Sequence, residues 1–187
     1  MIHPFRDGNG RMARALQTLV LGRGGVLAPE FSSIEEYLGH NTRDYYAILA
    51  RVGGGGWHPE RDAAPWVRFC LTAHFRQAQT VLNRIERISR LFAALEALVQ
   101  SRGLPGRTVL ALADAALGHR VRNPLYRKAA DVSANLASRD LLLLVQQGLL
   151  EPTGAKKGRS YTASDVIKGV SASIETPNKS IADPFDG

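Results

Sequence analysis

The feature that most constrains this chain is a run with no helix breaker. From Trp66 to Arg102, "WVRFCLTAHFRQAQTVLNRIERISRLFAALEALVQSR", no glycine or proline occurs. Pro65 stands just before it and suits a first helical turn, where the missing N–H has no intrahelical partner to lose. Such length predicts one long helix, or two with a bend, connecting two halves of the chain.

Before this run the punctuation also favours helices. In "GRMARALQTLVLGRGG", Ala13, Leu16 and Val20 recur at helical spacing with Leu19 beside them, and Gly22 and Gly24-Gly25 end the pattern. Ser32 or Ser33 is placed to cap a short helix with Glu35 or Glu36 in its first turn. Asn41 or Thr42 is placed to cap "RDYYAILARV", which stops at the glycines 53–56.

After the run the order changes. "RTVLALADAAL" reads as a helix. A short helix, a tight turn near Val132-Ser133, a longer helix stopping at Gly148, "LLEPT", a basic turn and "RSYTA" follow. Helix, turn, helix and two short strands is the winged-helix order. In the longer helix Ala137, Leu141, Leu144 and Val145 make the buried stripe, with Ser138, Arg139 and Gln146 on another face.

Charge and composition narrow the classes. Lys plus Arg number 24 against 17 Asp plus Glu, a formal charge of +7, which favours anionic partners without choosing among them. Cys70 is the one cysteine, so no disulfide can form within the chain. It sits in an apolar helical run and reads as buried filler. No apolar run approaches a membrane span and no signal-peptide pattern opens the chain, so we expect a cytoplasmic protein with no membrane partner. His40, His58, His74 and His119 show no metal-ligand spacing, and His74 reads as ordinary packing.

The densest chemistry stands at the start, "MIHPFRDGNGRMAR". Gly8-Asn9-Gly10 offers backbone N–H groups that a ligand can approach without a Cβ in the way. A helix begins directly after, and its N-terminus favours an anion. Arg11 and Arg14, three apart, lie near one helix face and suit more than one phosphate. Asp7 beside them makes sense as a Mg²⁺ ligand shared with phosphates. His3 is a candidate general base, and Phe5 is expected to anchor the loop in the core. Together these residues describe a phosphoryl or nucleotidyl transfer site.

"HPFRDGNGRMAR" resembles the defining motif of the Fic family (Fic/DOC-type proteins), His-x-Phe-x-Asp/Glu-Gly-Asn-Gly-Arg-x-x-Arg, at all eight specified positions. The resemblance implies a protein AMP-transferase using ATP and Mg²⁺. His3 would deprotonate a Ser, Thr or Tyr hydroxyl of a target protein, and Asp7 would hold Mg²⁺. Gly8, Asn9 and Gly10 would form the anion hole for the α- and β-phosphates. Arg11 and Arg14 would grip the β- and γ-phosphates, and pyrophosphate would leave. "NTRDYYAILARV" and "PWVRF" look like later parts of a Fic core, where Tyr45 or Tyr46 serves packing or adenine-side contact. The motif reads phosphates, so UMP, GMP or phosphocholine stays open as the transferred group.

A Fic core carries several helices and a β-hairpin flap before the motif, and only Met1 and Ile2 precede it here. We therefore expect weak or no transfer from these 187 residues alone, and a competent longer parent. The family's inhibitory pattern, Ser/Thr-x-x-x-Glu-Gly/Asn, matches none of the glutamates; Arg14 would be the target of such a helix.

The expected fold is mainly α: a truncated Fic-type helical bundle (1–80), a connecting helix (81–103), a small α+β winged helix-turn-helix domain (104–170) and a fraying tail (171–187). In the second half Lys156, Lys157 and Arg159 suit DNA phosphates, and Ser138 and Arg139 a recognition helix. Such modules also dock proteins or form homodimers. Leu142 and Leu143, off the buried stripe, tip the balance slightly toward protein contact.

Overall fold

The computed structural model describes residues 4–25, 33–55, 58, 60–154, 158–174 and 181–185. Among them the fold is mainly helical. The order is α1 (Asn9–Arg23), α2 (Glu35–His40), α3 (Thr42–Gly53), α4 (Ala64–Ser101), a 3₁₀ turn (Gly106–Thr108), α5 (Val109–Ala116), α6 (Asn123–Ala129), α7 (Ala134–Gln146), β1 (Leu150–Thr153), β2 (Ser160–Ala163) and α8 (Asp165–Ser173). No described helix is long and apolar enough to cross a membrane. The chain divides into two compact units, Met1–Leu82 with Lys179–Gly187, and Asn83–Asn178.

The breaker-free run forms one helix, α4, of 38 residues. Its start is fixed by Asp62, whose Oδ1 accepts from the Ala64 N–H at 2.8 Å and so satisfies a donor that the helix itself cannot. The division between the units falls within this helix.

In the first unit the core is small. Ile34 and Leu38 around α2 and Ala73 of α4 are buried, with Tyr37, Tyr45 and Phe69 packed against them. Trp66 stacks on Phe69 with ring centroids 5.9 Å apart. The apolar stripe of α1 lies outside this core: Leu16, Leu19 and Val20 are more than half exposed, and no residue of the helix is buried. Helical spacing foretold the helix but not what covers it. Asn41 occupies the expected cap position of α3 without capping it by its side chain. Its amide donates instead to the Tyr37 carbonyl at 2.8 Å.

Residues 181–185, expected to fray, lie against α4. Arg76 Nη1 donates to the Ile181 carbonyl at 3.1 Å, Arg76 Nε stands 3.8 Å from the buried Asp183 carboxylate, and Phe185 meets Phe75 edge-on.

The second unit has the larger core. Leu91, Leu95 and Val99 of α4 are buried in it with Leu112 of α5, Leu141 and Leu144 of α7, and Ile167 of α8. A fully buried leucine contributes roughly 1.5–3 kcal/mol from apolar area alone. The Ser133 hydroxyl caps α7, accepting from the Leu136 N–H at 3.2 Å. Gly148 ends it with φ 67°. The N–H groups of Gly148 and Leu149 reach back to Val145 and Leu144, the pairing of a Schellman stop. β1 and β2 are antiparallel, with Leu150 opposite Ala163 and Thr153 opposite Ser160. Val121 adds one bridge to Tyr161.

One charged residue interrupts the predicted stripe of α7. Asp140, 3% exposed, accepts two hydrogen bonds from Arg107, at 2.7 and 2.9 Å, and one from the Tyr126 hydroxyl at 2.9 Å. Burial and the neighbouring carboxylate push the Tyr126 hydroxyl well above its ordinary pKa of 10.0. Val145, expected on the stripe, is only half-buried.

Candidate phosphate-binding site

The opening loop closes on itself before α1 begins. The Asn9 amide straddles the Phe5 backbone: its Nδ2 donates to the Phe5 carbonyl at 2.7 Å and its Oδ1 accepts from the Phe5 N–H at 3.1 Å. Local pairing of this kind is what asparagine offers a turn. The Asn9 side chain thus shapes the loop, while its backbone N–H is the group expected to meet an anion. Phe5 is corrected. It is 49% exposed, so the Asn9 clasp, and not a core anchor, holds this segment.

Gly8 makes the turn into the helix at φ 85°, ψ 5°, and no side chain caps the first turn. A Cβ on Gly8 would stand 3.4 Å from Arg11 Nη2, and one on Gly10 would stand 3.5 Å from Arg14 Nη1. Both are ordinary contact distances, so it is the positive φ at Gly8, and not space, that favours glycine there.

Asp7 is turned into the same loop. Its Oδ1 accepts from the Gly8 N–H at 2.6 Å, and its Oδ2 pairs with Arg11 Nη2 at 3.1 Å. The side chain is 91% exposed, so both oxygens keep lone pairs open to solvent. Among the described residues no cluster of three or more His, Cys, Asp or Glu could hold a metal. One carboxylate is nonetheless what Mg²⁺ asks of a protein that binds it through phosphates, since waters and phosphate oxygens complete its octahedron.

Arg14 has partners that the sequence did not announce. Its Nε lies 2.5 Å from Glu35 Oε1 on α2, its Nη1 donates to the Tyr45 hydroxyl at 3.3 Å, and the guanidinium lies over the Tyr45 ring. The Glu35 hydrogen bond raises the Arg14 pKa further above its usual value. Glu35 stands 21 residues from Arg14 with no motif between them, so only the packing of α2 and α3 beside α1 could reveal the pair.

These groups open on a cleft of about 460 Å³ lined by Arg6, Asp7, the Gly8–Gly10 backbone, Arg11, Arg14 and Tyr46. A second hollow of about 380 Å³ lies against Arg11 and Arg14 from the side of Glu35 and Thr18. Another cavity, of about 550 Å³ between α4 and Phe185, is lined by one cation, Arg68, and no acid. Its chemistry is poorer than that of the opening cleft.

Residues 1–21 match the Fic/DOC family model. The match supports Fic/DOC membership through the stretch that carries the cleft. Asp7, Gly8, Asn9, Gly10, Arg11 and Arg14 are brought together in the matched segment, while His3 lies outside the described residues. Of the pair offered for packing or adenine-side contact, Tyr46 lines the cleft. Arg6, also in the lining, was missed by sequence reasoning; it stands between two motif positions and had no signal. His74 is half-buried in α4, as expected, with Nε2 3.2 Å from Gln17 Nε2 on α1.

Proposed function

We propose that the opening cleft is the substrate site of a protein AMP-transferase of the Fic/DOC type. ATP is the donor, and a Ser, Thr or Tyr hydroxyl of another protein the acceptor. The observation that carries this reading is the convergence of two guanidiniums, a solvent-open carboxylate and an uncapped, glycine-opened helix start on one cleft.

The groups divide the work by chemistry. The Gly8 N–H is taken by Asp7, so the backbone N–H groups of Asn9 and Gly10, with the guanidiniums of Arg11 and Arg14, face the phosphate chain and stabilise charge as it shifts toward pyrophosphate. Asp7 would hold Mg²⁺, which neutralises phosphate charge when bound. His3 takes the proton of the acceptor hydroxyl. The oxygen then bonds to the α-phosphorus, and the bond from that phosphorus to the bridging oxygen breaks. Tyr46 offers a ring at the cleft wall for the base.

Transfer of label from ATP labelled at the α-phosphorus, and not at the γ-phosphorus, to an acceptor protein tests the reaction. No transfer, or the same transfer with His3→Ala, contradicts it. A second reading is a nucleotide-binding segment without transfer, favoured by the hold of Glu35 on Arg14. Its signature is ATP binding with no label passed on.

A further inference from the structure

We propose that the second unit binds duplex DNA, with the solvent face of α7 lying in the major groove. The proposal is independent of nucleotide transfer at the opening cleft. Its first support is where the charge sits. Fourteen of the 24 basic residues and eight of the 17 acidic ones fall within residues 83–178, a net of +6. The remaining ten basic and nine acidic residues leave the first unit near neutral. The excess positive charge thus lies in the second unit, where it favours an anionic partner besides the nucleotide of the opening cleft.

The second support is the face itself. Asn135, Arg139, Leu142 and Gln146 are all exposed on α7, spaced i, i+4, i+7 and i+11, so they form one stripe. The buried side of the same helix holds Ala137, Asp140, Leu141 and Leu144. Among the described residues neither Asn135 nor Arg139 has a hydrogen bond or ion pair. Asparagine pairs in bidentate fashion with adenine, arginine with guanine, and an apolar side chain meets the thymine methyl. Leu142, 52% exposed, therefore has a place on the same surface. Leu143 is half-buried and does not extend an apolar patch.

Ser138 is corrected by the geometry. Its hydroxyl donates to the Ala134 carbonyl at 2.9 Å and accepts from Asn123 Nδ2 at 2.8 Å. It ties the start of α6 to α7 and is not free to read a base. The tie brings Arg122, next to Asn123, beside the α7 face. Arg127 and Lys128 stand at the other end of α6, one turn before α7. These three, with Arg159 at the foot of β2, are exposed and make no ion pair among the described residues. They are placed to meet phosphates on either side of an inserted helix. Lys156 and Lys157 enter the charge count but lie outside the described residues. A helix fits the B-form major groove, about 12 Å wide, and not the deep, narrow one of A-form RNA.

The test is anisotropy of a labelled 20-base-pair duplex titrated with the full chain across a series of salt concentrations. Four phosphate contacts predict a slope of log K against log salt of roughly −3.6. Arg127→Ala with Lys128→Ala flattens it by about 1.8 and weakens binding roughly 60-fold at 0.1 M salt. Arg139→Ala weakens binding and relaxes sequence preference with little change of slope. Removing the same charge from α4, Arg87→Ala with Arg90→Ala, changes neither. No binding at low salt overturns the proposal. So does equal loss with the α4 control, which marks a merely sticky cation, or equal affinity for duplex RNA. Self-association of the chain abolished by Leu142→Asp, without DNA binding, assigns the face to protein contact instead.

Discussion

Asp140→Ala is the sharpest test of what holds the second unit together. The carboxylate is 3% exposed and joins three elements: Arg107 from the 3₁₀ turn, Tyr126 from α6, and its own α7. Removing it leaves the Tyr126 hydroxyl, on a residue 1% exposed, buried without its acceptor, at about 1–3 kcal/mol. It also strips Arg107 of its counter-charge. Breaking a fully buried pair costs about 3–5 kcal/mol. The Arg107 side chain is 35% exposed, so water recovers much of that. A net loss of about 2–4 kcal/mol follows, which lowers Tm by roughly 10–25 °C for a unit of this size. Tyr126→Phe removes one hydrogen bond and leaves the Arg107 pair intact, at about 1 kcal/mol. Calorimetric melts of the three full-length proteins make the comparison. An Asp140→Ala shift of a degree or two, or a Tyr126→Phe loss as large as that of Asp140→Ala, refutes the reasoning. The same variant bears on DNA binding, because the network fixes α6 and α7 in one arrangement.

Three further outcomes are expected. Gly8→Ala forces a side chain to φ 85°, a strain of about 1–2 kcal/mol, and sets a methyl against Arg11; ATP affinity measured by calorimetry falls with little change in the melt of the second unit. Glu35→Gln removes the negative charge beside Arg14 while keeping an acceptor for it. ATP then binds roughly two- to fivefold more tightly, the range of an exposed ion pair, and an unchanged or weaker Kd counts against competition by Glu35. Burial lowers the His74 pKa below its usual 6.5. The unfolded chain takes up that proton first, so the first unit keeps this contribution above pH 6.5 and loses it as pH falls through the lower folded value. Tryptophan-emission melts between pH 7.5 and 5 show the decline, and His74→Gln flattens it.

The helices were legible because their signals are local. A breaker-free run, Ser133 before α7 and Gly148 after it each act within a turn or two of their own position. The motif residues were legible because they are nearly contiguous, and one loop and one helix start bring them onto a single cleft. What stayed hidden depends on distant partners. Phe5 and the α1 stripe read as core, since periodicity reports which residues share a face and not whether anything packs on it. The clasp of the Asn9 amide on the Phe5 backbone has no signal in the sequence beyond the presence of an asparagine in a turn. Ser138 reads as a base-reader until Asn123, 15 residues away, takes its hydroxyl. Glu35 and Asp140 lie 21 and 33 residues from the arginines they hold, and no pattern in the sequence links those pairs.

The central claim is that the opening cleft grips a triphosphate through Arg11, Arg14 and the glycine-opened helix start. Calorimetric titration of the full chain with ATP and with AMP, both with Mg²⁺, tests it most directly. ATP is expected to bind far more tightly than AMP, and Arg11→Ala to weaken ATP roughly tenfold or more through loss of a charge-assisted hydrogen bond, with AMP little affected. Equal affinity for ATP and AMP, or an ATP Kd untouched by Arg11→Ala, contradicts it.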